Sequence, residues 1–183
     1  MSGYTILAFI GSIFTQGFDR ADLIPRYGWF LVATAVAVNG AGWISDRWAN
    51  HYGPRNRLAW GWISCLVSLP FLWVGLYSEH PMLSFWAIGI GNIIASSYNG
   101  VAAATIQFFA RDDQRGLVGA LYVFVVSVVG FGAGPSLAGW LSDHIFQGAM
   151  AVASAEWTIY LLCGTGSSVA FYLARKHYDQ DVV

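Results

Sequence analysis

AGWISDRWANHYGPRNR, residues 41–57, is the stretch on which the fold turns. It begins as the polar end of a long apolar run and ends as a basic turn before another. Gly42, Asp46, Arg47, Gly53, Arg55 and Arg57 crowd into it, in a chain that elsewhere avoids charge. Of 183 residues, 56% are hydrophobic and only 10% are charged, where soluble domains carry about 25%. Mean hydropathy is +0.53. A soluble fold of this length has too little interior to hide that much apolar surface. The net charge of -1 gives no reason to expect a nucleic-acid partner.

Outward from this stretch, the chain divides into charge-free runs at 1–18, 27–45, 58–78, 81–110, 116–142 and 157–174. Each reaches the roughly 18 residues that read as a membrane span. The chain is therefore expected to be an all-α membrane protein of six transmembrane helices. They form one domain over 1–177, followed by a short tail at 178–183. Strands of a membrane barrel would be about 10 residues of alternating polarity, which these are not. The first run has no basic residue before it, unlike a signal peptide. The third, rich in Trp, Leu and Val, has the bulk that a lipid-facing surface tolerates.

Lysine and arginine set the orientation. Arg47, Arg55, Arg57, Arg111, Arg115, Arg175 and Lys176 flank one side, against Arg20 and Arg26 on the other. The richer side is expected to be cytoplasmic and to hold both termini. The implied setting is a multi-pass protein of a plasma membrane, on the pattern of the bacterial inner membrane, with lipid as its surroundings.

The hexapeptide AGWISD at 41–46 recurs as AGWLSD at 138–143 with one conservative change. The first ends a helix running inward and the second a helix running outward. The copies are expected on opposite membrane faces, as in two three-helix repeats of inverted topology.

Residues 42–58, GWISDRWANHYGPRNRL, resemble the loop after the second helix of each half in the major facilitator superfamily, through Gly42, Asp46, Arg47, Gly53, Arg55 and Arg57. Residues 106–143 resemble the region around the fourth and fifth helices of such a half, through Gln107, Arg115, Gly134, Pro135, Gly139, Ser142 and Asp143. The order of the second set is most similar to the C-terminal half in the spinster-like branch. The resemblance implies half of a major facilitator fold, helices 7–12, moving a small organic solute by alternating access. The chain would be a fragment, a split-gene product or a self-associating half. Its partner would be a missing N-terminal six-helix half or a second copy of itself.

In that family the 41–57 loop acts as a latch against the other half. Its chemistry is also plain from the residues. Gly42 permits close approach of a second helix, and Asp46, one turn on, accepts from a guanidinium or a helix N-terminus. The alternative is a solvated basic turn that only sets topology. The fourth run carries Asn92, Ser96, Asn99 and Gln107 within about 80° of one helical face. Such amides line a solute cavity or serve as interhelical glue. Tyr98, off that stripe, is expected to pack or anchor. Gln16 and Asn39 are further cavity candidates. Gly130, Gly132, Gly134, Pro135 and Gly139 suggest a closely packed, bendable fifth helix, and Arg111 and Arg115 mark a cytoplasmic loop.

The charge pattern places no Asp, Glu or His inside any run, so a proton-coupling residue is expected elsewhere. Cys65 and Cys163 fall within runs and suggest neither disulfide nor metal. No cofactor is implied. An intramembrane serine hydrolase would need a base beside its nucleophile. Residues 164–168, GTGSS, have none near in sequence, so an enzyme is not expected. A membrane protein that only binds other membrane proteins is the remaining alternative.

Overall fold

The structure, a computed structural model, describes residues 20–53, 56–148 and 150–177. The first expected span with Gln16, Arg55 and the 178–183 tail lie outside the described residues. Those described form helices only: α1 (Arg20–Tyr52), α2 (Arg57–Tyr77), α3 (Pro81–Ser96), α4 (Tyr98–Phe109), α5 (Arg115–Ser127), a π-helical segment (Val128–Ala133), α6 (Gly134–His144) and α7 (Ala151–His177). Among the described residues, four stretches are long and apolar enough to cross a membrane: Gly28–Tyr52, Arg57–Tyr77, Arg115–His144 and Ala151–Lys176. The chain is a helical membrane protein.

Charged residues do not end these helices where a hydropathy boundary puts them. α1 is described from Arg20, in the gap between the expected runs at 1–18 and 27–45, and takes in Pro25. It then runs through Asp46 and Arg47 to Tyr52, so most of the expected 41–57 loop is helix. Gly53 stops it with φ +94°, a left-handed conformation that glycine adopts without strain. The expected 81–110 span is two helices of 16 and 12 residues, each too short to cross alone. At Ser97, between them, the backbone stays right-handed (φ −61°, ψ −25°). The Ser97 N–H is shared between the Ile93 and Ile94 carbonyls, both at 3.2 Å.

The fifth expected span is interrupted as well. Pro135 offers no N–H to the carbonyl four residues back and crowds it. The chain just before α6 widens into the π-helical segment, the usual local answer to such an insult. Beside it, the Ser136 hydroxyl donates to the Gly132 carbonyl at 2.9 Å. A methyl group at Gly132 would meet nothing within 4 Å, so close packing does not explain that glycine.

α2 is the centre of the bundle and packs on α3, α4, α7 and α1. Within the bundle 44% of its apolar window is buried, against 6–17% for the other three spans. It is the core helix, not the lipid-facing one its Trp and Leu content suggested. Glycines bring its neighbours close. A Cβ at Gly61 would lie 2.7 Å from the Phe171 ring, and one at Gly91 would lie 2.9 Å from Leu72. Gly89 receives the Phe30 ring, and Gly100 receives the Val38 carbonyl. Phe30, Leu72, Leu76, Phe85, Ile88, Ala153 and Tyr160 close the core from α1, α2, α3 and α7.

Two cross-links fix the ends. Arg175 Nη2 donates to Asn56 Oδ1 at 2.8 Å at the end rich in arginine, here the basic end. Tyr77 and Ser154 hydroxyls meet at 3.5 Å at the opposite end. With the chain alternating between them, AGWISD lies in the last third of α1, toward the basic end, and AGWLSD closes α6 at the other. Their side chains are arranged alike. Ala41 and Ala138 are buried, while Trp43 and Trp140 point outward. Each indole is covered by the residue four positions on. The Arg47 guanidinium lies 5.6 Å from the Trp43 ring, and His144 stacks on Trp140 at 5.3 Å.

Candidate functional site

Three polar groups share one depth in the bundle. Where α1 crosses α4, the Val38 carbonyl abuts Gly100. The neighbouring residues Asn39 and Asn99 therefore stand at the same level, near the middle of the Gly28–Tyr52 span. From α5, the Tyr122 hydroxyl reaches Asn99 Oδ1 at 3.5 Å. Asn99 Nδ2 donates to the Ser96 carbonyl at 3.0 Å, across the α3–α4 junction. Asn39 Nδ2 donates to the Ala35 carbonyl at 2.8 Å, and the residue is exposed. An exposed amide at mid-span needs water, solute or a partner helix opposite it. This layer can bind a solute by hydrogen bonds, and its three side chains are uncharged.

The stripe expected along 92–107 does not act as one wall. Asn92 is 4% exposed, and its Oδ1 meets no donor. Gln107 is exposed near the basic end, its amide 3.5 Å from the Cβ position of Gly119 on α5. Ser96 and Asn99 belong to the polar layer.

The residues of the expected latch gather at the basic end. Arg57 Nη2 pairs with Asp46 Oδ1 at 2.8 Å, and Ser45 Oγ donates to the Arg57 carbonyl at 3.0 Å. Asp46 thus bridges α1 to the first turn of α2 within this chain. Arg47 lies on its own Trp43, and Gly53 makes the turn. Gly42 has nothing within 4 Å of its Cβ position, so no helix of the described chain uses the approach it permits. Arg111 and Arg115 pair locally with Asp113 and Asp112, at 3.5 and 2.9 Å. Gly134 is buried and Gly139 half-buried, while Pro135 sets the interruption described above.

On the other side of α4 lies a pocket of about 340 Å³ between α2, the α3–α4 junction and α7. It is centred on the middle of α2 and the middle of α7. Ser68, Tyr98, Tyr160, Ser167, Cys65 and Cys163 give it polar and thiol groups. Tyr98 both packs edge-on against Phe171, with centroids 6.0 Å apart, and lines this pocket. Trp60 Nε1 donates to Ser97 Oγ at 3.1 Å and ties the junction to α2.

A carboxyl is buried where none was expected. The gap between the expected runs at 116–142 and 157–174 is largely helix: α6 continues to His144 and α7 starts at Ala151. Glu156 is therefore inside α7, with 0% exposure. It shares a helical face with Ala153 and Tyr160, three residues before and four after, and both belong to the core. A rule that ends spans at charges cannot find such a residue. The signal that could have was the apolar spacing of Ala153, Trp157 and Tyr160 around it.

Among the described residues there is no group of three metal-ligating side chains, and neither cysteine forms a disulfide. The sequence matches no family model, no curated protein and no solved structure.

Proposed function

We propose that the chain is a six-helix half of a major facilitator-type secondary transporter, of the C-terminal, spinster-like kind, that moves a small organic solute by alternating access. The observation that carries this is the mid-depth polar layer of Asn39, Asn99 and Tyr122, drawn from three helices, with Asn39 exposed. Sites of this class sit near the bilayer midplane and are built around interrupted helices, and both α3–α4 and α5–α6 are interrupted. The two AGW[I/L]SD segments at opposite ends suit an inverted pair of three-helix units. The exposed Asn39 would face an N-terminal half or a second copy, with the basic end on the cytoplasmic side of a bacterial inner membrane. Hydrogen bonding without fixed charge favours a neutral or weakly charged solute.

The test is uptake of a panel of radiolabelled organic solutes into proteoliposomes, with and without a co-reconstituted N-terminal half. Saturable uptake in either arm is expected. Its absence in both arms, with the protein folded, favours a non-transporting membrane interaction protein. The unoccupied approach at Gly42 suits that second possibility, because a partner helix fits there.

Asp46→Asn tests the latch. The Asp46 carboxylate is about half exposed, so losing the pair costs at most about 1 kcal/mol of stability. Transport is expected to fall severalfold while membrane expression stays near that of the parent. Equal loss of both assigns the pair to folding alone.

A further inference from the structure

We propose that the Trp86–Ile90 ridge of α3 seats one anionic diacyl phospholipid, with an acyl chain in the groove on each side and the phosphate at Arg26. α1 and α3 both run from the Tyr77 end toward the basic end, so their residues pair by level. The Phe30 ring abuts Gly89 and stands edge-on to Phe85 and Trp86, with centroids 5.0 and 5.5 Å away. One turn earlier, Arg26 is therefore level with Met82 in the first turn of α3. Between the two helices runs a groove of about 560 Å³, with Arg26 and Met82 at one end and Ile93 at the other. On the far side of the ridge, α2 and α3 flank a second groove of about 450 Å³, lined by Phe71, Val74 and Leu83 among others. Trp86 and Ile90 line both grooves and are 54% and 39% exposed.

Length, charge and surface chemistry select the occupant. From Met82 to Ile93 the first groove covers about 16 Å at 1.5 Å per residue. One leaflet of hydrocarbon is about 15 Å deep, half of the roughly 30 Å slab. A chain that enters beside the first turn of α3 thus ends near the midplane, as an acyl chain does. Two grooves that meet on one ridge suit the two chains of one lipid. Their walls are aliphatic and aromatic, and Arg26 is the one charged residue lining either. It is exposed and stands two residues before the apolar stretch that begins at Gly28, at the depth of the headgroups. Arg26 already has a partner within the chain, but a guanidinium has five N–H donors and a bidentate phosphate contact uses two. Glu79 and His80 are exposed in the turn before α3, and α3 itself has no ionisable residue. A lipid without net charge would fill the grooves equally and gain less from Arg26, so an anionic one is preferred.

Tryptophan quenching by brominated lipids reads the ridge without any solute. The protein is reconstituted with dibrominated phosphatidylglycerol or dibrominated phosphatidylcholine at a series of mole fractions. Each variant is paired with its own Trp29→Phe/Trp86→Phe counterpart, so that the difference isolates the two indoles lining the first groove. Their association constant is expected to favour phosphatidylglycerol about fivefold, the contribution of one arginine near a membrane surface. Arg26→Gln brings that ratio near one. Ala33→Leu keeps the charge but narrows the first groove, so quenching of the two indoles by both lipids falls. If Arg26→Gln does not fold, the parent in about 1 M salt takes its place, because charges are screened there within about 3 Å. A ratio near one in the parent overturns the proposal, and so does a ratio that neither Arg26→Gln nor salt lowers. Unaltered quenching in Ala33→Leu also overturns it, because the chain then lies outside the groove. Absence of quenching by either lipid means that a partner helix covers the ridge, and overturns it too. Failed solute uptake with the fivefold preference intact would sink the transporter proposal and leave this one standing.

Discussion

Gly75→Ala is expected to lower the thermal unfolding midpoint of the purified protein sharply, whereas Gly42→Ala raises it. At Gly75 a Cβ would stand 2.5 Å from Ile88 Cγ1, 2.9 Å from the Ile88 nitrogen and 3.3 Å from the Ser84 carbonyl. Two of these three are backbone, so rotamer changes cannot relieve the clash. Ser84 Oγ also donates to the Gly75 carbonyl, which α2 ends too soon to satisfy itself. Moving α3 away would break that bond as well. Overpacking of this kind costs about 1–3 kcal/mol, and loss of the hydrogen bond adds about 1 kcal/mol. The opposing gain from replacing a mid-helix glycine is about 1 kcal/mol. At Gly42 only that gain operates, because nothing lies within 4 Å. Fluorescence-detected thermal melts of the two variants in one detergent check the prediction. Equal shifts would mean that α2 and α3 do not cross at Gly75.

The second large effect concerns the polar layer. Asn99→Ala removes the acceptor of Tyr122 and the donor to Ser96. Asn39→Ala removes only a bond to its own turn and an exposed amide. If solute binds there, each variant is expected to weaken its apparent affinity about tenfold, for a lost hydrogen bond of about 1–1.5 kcal/mol. The stability costs should differ. Asn99→Ala lowers the melting temperature, and Asn39→Ala leaves it near the parent value. Tracer competition with the transported solute, beside the melts, separates the two roles. Unchanged affinity in both variants would reduce the layer to interhelical glue.

Charge-free runs located the material of every described helix, because lipid excludes charge wherever it meets the chain. They misplaced the ends. Asp46 and Arg47 lie within α1 since a helix has no need to stop where the membrane does. Glu156 is invisible to the same rule, because burial against other helices differs from burial in lipid. The role of α2 was also hidden. Its tryptophans and leucines suit lipid and core equally, and only Gly61, Gly75 and the glycines facing it reveal which helix the others surround. The break at Ser97 has no signature in an apolar run, since Ser97 keeps helical dihedrals and reroutes only one N–H. Within the site, Asn39 and Asn99 could be named from residue type. Their shared depth depends on the Val38–Gly100 crossing, which no spacing along the chain encodes.

The spans differ in length, with 21 residues in α2 against 30 in the rod from Arg115 to His144. At 1.5 Å per residue these are about 32 and 45 Å, and the hydrocarbon slab is about 30 Å thick. α2 fits nearly upright, so hydrophobic mismatch falls on the longer, outermost rod, which must lean or flex where Val128–Ala133 is widened. A thinner bilayer would increase that lean first, leaving the centre of the bundle undisturbed. Lipid chain length is thus a physical control on one wall of this protein, acting with no ligand at all.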